Sequence, residues 1–347
     1  MALRNDKLAA WEAAVETPPE ASNSIHSLRE CGGRIELSLI SIADLGPSEE
    51  PDWILPGYIA RGAITLFTGM WKAGKTTFLS HLLRDIYRGS GLVDYPVDAP
   101  TLILNKEQDG MWSRRRDALG LSDSIFFPVR GSFARPTRLE WRQLIQSIVE
   151  VVTEREIGLV VFDTLPSLWS VMNENDAGET LDALTPLRDI TQAGAAVLLM
   201  HHPRKGGGPG GLATRGSGSM PGFADILVEL DRLNPDDNTD TRRVLIGRGR
   251  YENIPPELVI DMQIDGYTFI GERTEVGTAD RRIMILEVLP EEGDGLTRDE
   301  VLNCWPSIPK PGKTRLMQEL IRGASEGDWT RTGKGCKGDP YLFKNHP

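Results

Sequence analysis

Cysteine is almost missing from this chain: there are three in 347 residues, Cys31, Cys304 and Cys336, widely spaced and without a C-x-x-C pair. An odd, scattered set argues against a disulfide framework or a cysteine zinc site, and a reducing cytoplasm is the expected setting. Long apolar runs are missing too. No stretch reaches the roughly 18 apolar residues of a membrane-spanning helix, so no membrane association is expected. The start, Met1 to Lys7 followed by Glu12 and Glu16, lacks an apolar core and reads as no signal peptide. Surplus positive charge is also lacking. A net charge of −11 is not that of a blanket nucleic-acid binder, so any basic surface must be local. Residues 310–347 supply one, with eight Lys/Arg against four Asp/Glu.

What the chain does have is Gly69-Met70-Trp71-Lys72-Ala73-Gly74-Lys75-Thr76, a full match to the phosphate-binding P-loop G-x-x-x-x-G-K-[ST]. Ile64-Thr65-Leu66-Phe67 before it suits a buried strand, and Thr77-Phe78-Leu79-Ser80-His81-Leu82-Leu83 after it reads as a helix. Strand, glycine loop and helix is the context the motif needs: backbone amides turn inward around phosphate oxygens at a helix N-terminus. Residues 69–77 are thus expected to bind ATP, with Lys75 on the β- and γ-phosphates and the Thr76 hydroxyl on Mg²⁺.

Residues 1–50 read as a peripheral arm, with one helix expected over Asp6 to Glu16 and a Pro-rich linker after it. From about 51 to 275 the pattern alternates. Strands are expected at 64–69, 101–107, 124–129, 158–163 and 195–201, and helices near 76–88, 137–154 and 178–193. Alternation of this kind predicts an α/β fold with a mostly parallel central sheet. Four further strands, over 226–233, 242–249, 258–262 and 267–271, suit antiparallel hairpins added at the sheet edge. Val276-Gly277-Thr278-Ala279 reads as a hinge into a last domain, 276–347.

Three of these strands end in polar residues where open α/β sheets bind ligands. Leu159-Val160-Val161-Phe162-Asp163 has the Walker B pattern, four apolar residues and then a carboxylate able to hold the Mg²⁺ shell. Thr101–Glu107 ends in Glu107, our candidate for the base that deprotonates the attacking water, with Asp109 as the alternative. Ala195–Met200 runs into His201-His202, one of which would face the γ-phosphate. With no other His or Cys close in sequence, this pair does not read as a metal site.

Trp53-Ile54-Leu55-Pro56-Gly57, the P-loop, Asp163-Thr164-Leu165, His201-His202-Pro203-Arg204-Lys205 and Arg215-Gly216-Ser217-Gly218 follow one another in the chain. In this order they resemble the RecA-like P-loop ATPases of the hexameric RepA-like helicase group, found in plasmids, phages and mobile elements. The resemblance covers about residues 50–270. It implies an ATP-hydrolysing homo-oligomer, expected to be a hexamer, with Lys75, Thr76, Asp163 and Glu107 in the roles above and His202 sensing phosphate. The plasmid helicase carries an arginine finger shortly after its Arg-Gly-Ser motif, whereas the matching stretch here is Phe223-Ala224-Asp225. Arg248, Arg250 or Arg215 would then supply the finger.

Two DNA contacts are expected. Pro203–Ser219 is a long glycine-rich loop carrying Arg204, Lys205 and Arg215, and loops of that length usually serve a function. In RecA-like rings this loop faces the pore and single-stranded DNA. In the last domain, helices are expected at 282–288, after the capping box Thr297-Arg298-Asp299-Glu300, and at 313–324; a basic hairpin follows at 329–343. Three helices and a basic hairpin suggest a winged helix for duplex DNA, with Arg315 on the third helix and Lys334 and Lys337 in the wing. The alternatives are a DNA-bound loader or regulator switched by ATP, and, less well supported, a small-molecule kinase, for which no acceptor-binding domain is evident.

Overall fold

The computed structural model describes residues 39–46, 50–70, 72–129, 135–202, 218–306 and 310–346. It divides into two compact units, residues 1–50 and 51–347. In the first, the described residues form one 3-10 turn, Ile42–Asp44, capped by the Ser41 hydroxyl, which accepts from the Ala43 amide. The helix expected over Asp6 to Glu16 lies outside the described residues.

The second unit is built on a nine-stranded sheet. Its strands are β3 (Ile64–Gly69), β4 (Thr101–Asn105), β5 (Ile125–Phe126), β6 (Leu159–Asp163), β7 (Ala196–His201), β8 (Ile226–Arg232), β9 (Arg243–Gly249), β10 (Glu257–Gln263) and β11 (Gly266–Glu272). A small hairpin, β1 (Trp53–Leu55) with β2 (Ile59–Ala60), precedes them. The spatial order is β11-β10-β9-β8-β3-β7-β6-β4-β5. From β8 to β5 every pairing is parallel, and from β8 to β11 every pairing is antiparallel. The expected parallel sheet with edge hairpins is therefore what the chain forms.

Burial on both faces explains why the central strands are continuous apolar runs. Side chains alternate along each strand. Val161, Ile103 and Phe67 join the core beneath α1 (Lys75–Arg88), with Phe78, Leu82 and Ile86. Val160, Phe162, Leu102 and Leu66 face the other core, with Trp141 and Ile145 of α3 (Arg138–Glu154) and Leu184 and Leu187 beyond it. Helix α3 starts at a capping box, Thr137 with Glu140.

Two expectations need correcting here, and two helices had not been expected. The strand expected over 124–129 is only Ile125–Phe126. The helix expected over 178–193 is two, α4 (Ala177–Leu184) and α5 (Leu187–Gln192), with Pro186 at the junction. Helix α2 (Asp109–Leu119) was not anticipated, because Trp112 is its one buried residue and no apolar period marks it. A five-residue helix, α6 (Ser219–Phe223), leads into β8.

The hinge expected at 276–279 is instead the interior of a helix, α7 (Arg273–Val288), which starts directly where β11 ends. Val276 packs with Val244 and Val259 of the sheet, and Arg242, just before β9, is paired with Asp280 at 2.8 Å. Two more helices follow, α8 (Arg298–Asn303), opened by the expected Thr297/Glu300 capping box, and α9 (Lys313–Glu326). The hairpin of β12 (Thr330–Thr332) and β13 (Leu342–Lys344) closes this end, and Leu296 bridges to Phe343 as a further rung. Ile285, Leu289, Val301, Trp305, Leu316, Leu320, Trp329 and Phe343 form its core.

Candidate active site

The register of the sheet sets four chain segments level at one edge. Asn105 of β4 lies opposite Asp163 of β6, Asp163 opposite Met200 of β7, and His201 opposite Thr68 of β3. Each strand is parallel to its neighbour, so each delivers its C-terminal residue to the same crevice. The P-loop leaves β3 at this edge and enters α1. Gly74 caps that helix at φ +98°, a left-handed conformation that a side chain would strain.

Lys75 is buried, and its ammonium donates to the carbonyl oxygens of Gly69 at 2.6 Å and Met70 at 3.2 Å. Burial pulls its pKa down to about 8, against the opposing charge of Asp163. His202 Nδ1 lies 3.0 Å from Lys75 Nζ, so the second histidine of the pair is at the phosphate loop. His201 is fully buried instead, with Nε2 3.5 Å from Glu174.

Thr76 donates its hydroxyl to Asp163 Oδ2 at 3.3 Å. Asp163 is pushed up to about 6, first by burial and then by the charge of Glu107. A hydroxyl and a carboxylate beside a phosphate loop fit Mg²⁺, which takes few protein ligands and keeps waters and phosphate oxygens. Among the described residues no cluster of three or more His, Cys, Asp or Glu could form a denser metal site.

Glu107 lies past the end of β4, its amide donating to Asn105 Oδ1 at 2.8 Å. Its carboxylate is gripped by Arg115 of α2, through Nη1 to Oε2 and through Nη2 to Oε1 at 3.2 Å. Asp109, the alternative base, is the first residue of α2. Of the remaining loop residues, Met70, Lys72 and Thr77 are exposed and Ala73 is buried. Trp71 lies outside the described residues.

Three residues near the site were not singled out from the sequence. Arg243 donates through Nε to the Ala73 carbonyl at 3.2 Å, bracing the loop from β9. Tyr267 of β11 packs against Phe78 and reaches Gly74. Arg115 is the third. The antiparallel hairpins bring Arg243 and Tyr267 back to the P-loop edge, which no local motif announces.

Arg248 and Arg250 go to the other edge. Arg248 pairs with Leu227 and Gly249 with Ile226, at the start of β8 and level with the start of β3. A strand of this length spans roughly 20 Å, so these arginines are far from the P-loop of their own chain. Arg250 is paired with Asp225 Oδ1 at 3.1 Å, and Asp225 also accepts from the Ile64 amide at 2.9 Å and from Arg188. Phe223-Ala224-Asp225 therefore anchors the far edge of the sheet. Arg204, Lys205 and Arg215 lie outside the described residues. Arg315, Lys334 and Lys337 are exposed on the C-terminal helices and hairpin, Arg315 Nε being 3.7 Å from Glu319.

Among the described residues no helix is long and apolar enough to cross a membrane. No curated protein matches the chain. A family model described as an AAA domain matches residues 34–208, half of the sequence, and covers the P-loop, Glu107, Asp163 and both histidines. The chain belongs to this AAA domain family, and is a P-loop ATPase by class.

Proposed function

We propose that the chain hydrolyses ATP as a RecA/RepA-like ring, in the role of a helicase or translocase on DNA in the replication or mobilisation of a genetic element. One observation carries the ring: Lys75, Thr76, Asp163, Glu107 and His202 share one sheet edge, while Arg248 and Arg250 lie at the opposite edge. In this reading a finger among them acts on the site of a neighbouring subunit, not its own, as fingers in trans do. A homo-hexamer is the expected assembly.

In this reading the P-loop amides and Lys75 hold the triphosphate, and Thr76 and Asp163 hold Mg²⁺. That ion, when bound, neutralises charge on the β- and γ-phosphates. Glu107 takes the proton of the attacking water. His202, touching Lys75, reports whether the γ-phosphate is present. The C-terminal helices and hairpin act as a winged helix on duplex DNA through Arg315, Lys334 and Lys337, supported by their exposure and by the local excess of positive charge. Residues 203–219 carry the single-stranded contact through Arg204, Lys205 and Arg215.

A switch that loads or regulates without moving is the second reading. It is favoured by Phe223-Ala224-Asp225, the stretch without an arginine that matches the region where the plasmid helicase carries its finger. ATP turnover with and without single-stranded DNA, beside sizing with and without ATP, tests the proposal. Stimulated turnover and ATP-dependent rings support a motor. Binding without DNA-dependent turnover supports the switch.

A further inference from the structure

We infer that Arg115 is a positioning residue that restrains Glu107, keeping hydrolysis low until their contact is broken. The inference rests on Glu107 being the base in the proposed ATPase.

Both carboxylate oxygens of Glu107 are engaged by the Arg115 fork. A carboxylate whose two oxygens are both taken by charge-assisted N–H donors has no oxygen left turned toward an attacking water. The grip is built in advance. Arg115 lies over the ring of Trp112, 4.7 Å from its centroid, and Trp112 is the buried residue that fixes α2. Stacking on a fixed ring aims the guanidinium and lowers the entropy lost in holding the carboxylate.

The neighbouring arginines are used otherwise. Arg116 turns to Asp117 at 2.8 Å, and Arg114 is exposed. One of three successive arginines is therefore committed to the proposed base. The contact is also breakable, since the Arg115 and Glu107 side chains keep 20% and 34% of their surface in solvent. With solvent at both side chains, water can take the place of either partner when the β4–α2 turn shifts.

The test uses the full chain with Mg²⁺ and ATP, without DNA, in four forms: wild type, Arg115→Gln, Glu107→Gln and the double variant. Freed of the fork, Glu107 can turn its carboxylate to the attacking water. Arg115→Gln should raise kcat on the order of tenfold and leave the KM for ATP within about twofold, because the nucleotide contacts are untouched. Arg115→Lys, which keeps the charge and loses the fork, should fall between. In the Glu107→Gln background the Arg115 substitution should change nothing, because the group it restrains is gone.

A fall in kcat in both Arg115 variants overturns the restraint and makes the fork an aid to hydrolysis. A gain of equal size in both Glu107 backgrounds also overturns it. Wild-type turnover in Glu107→Gln removes the base assignment and the restraint with it. Slow turnover in Glu107→Gln with no gain from Arg115→Gln overturns the restraint alone.

Discussion

Asp163 is 8% exposed and stands close enough to Glu107 to feel its charge, so its carboxyl titrates near 6 rather than at the ordinary 3.8. The folded-state pKa is the higher one, so between about pH 4 and 6 the folded chain binds a proton that the unfolded chain releases. Stability therefore falls as pH rises through that window, by about 2–3 kcal/mol once the group is charged. Asp163→Asn keeps an acceptor for Thr76 and carries no charge. Without nucleotide or Mg²⁺, the variant should melt a few degrees above wild type at pH 7.5 and level with it near pH 4. Equal melting at both pH values would show that the carboxylate bears no such strain. Lys75→Ala should abolish ATP binding or turnover, read by nucleotide titration and phosphate release, because the ammonium opposing the γ-phosphate charge is lost. These two residues were legible in the sequence, since each belongs to a contiguous motif. Arg243 and Tyr267 were not. They reach the loop from strands some 170 to 190 positions later, and only the pairing of those strands brings them back.

At the scale of elements, the apolar runs of β3, β4, β6 and β7 were buried on both faces, and the four later runs became the antiparallel side of the sheet. Misreadings fell where a local signal pointed away from the tertiary outcome. Gly277 and Thr278 are poor helix formers and suggested a hinge, yet Val276 packing and the Arg242–Asp280 pair hold α7 as one helix. A helix interior makes a definite prediction for Gly277→Ala. The new methyl would meet only the far end of the Arg281 side chain, at 3.2 Å. The lower entropy of the unfolded chain should then stabilise the protein by about 0.5–1 kcal/mol. Denaturant titration with an unchanged slope would read that gain. A loss, with easier proteolysis near residue 277, would instead mark a bend that needs glycine. Helix α2 stayed hidden for a different reason: it is held by one buried tryptophan and otherwise faces solvent with charge.

At the scale of the whole molecule, two charge distributions carry the remaining predictions. Replacing the acting finger of the proposed ring, whichever of Arg215, Arg248 and Arg250 it is, should lower turnover by about 10³-fold or more and leave nucleotide affinity nearly intact. Mixing that variant with Lys75→Ala chains should restore part of the activity, because a hybrid interface joins an intact P-loop to an intact arginine. Arg250→Ala also frees Asp225, so melting must be checked beside turnover. No recovery in any mixture, with both variants folded, would argue for a site completed within one chain.

The C-terminal hairpin tests the other distribution. Lys334 and Lys337 are exposed in the connection between β12 and β13, on a chain whose net charge is −11. Under the proposal, binding to duplex DNA comes from a local patch working against a repulsive whole. With about three to five phosphate contacts, log K of the full chain should fall with log salt at a slope of about −3 to −5. Lys334→Ala and Lys337→Ala should each flatten that slope by about one and leave sequence preference unchanged, because phosphate contacts position without specifying. Arg315→Ala and Gln318→Ala should behave differently. Both residues are exposed on α9. On a helix lying in a groove they would meet base edges, so their loss should shift preference between duplexes at fixed salt. The two measurements separate wing from helix. An unchanged slope in both lysine variants, with duplex binding intact, would move the DNA contact off this end of the molecule and onto residues 203–219.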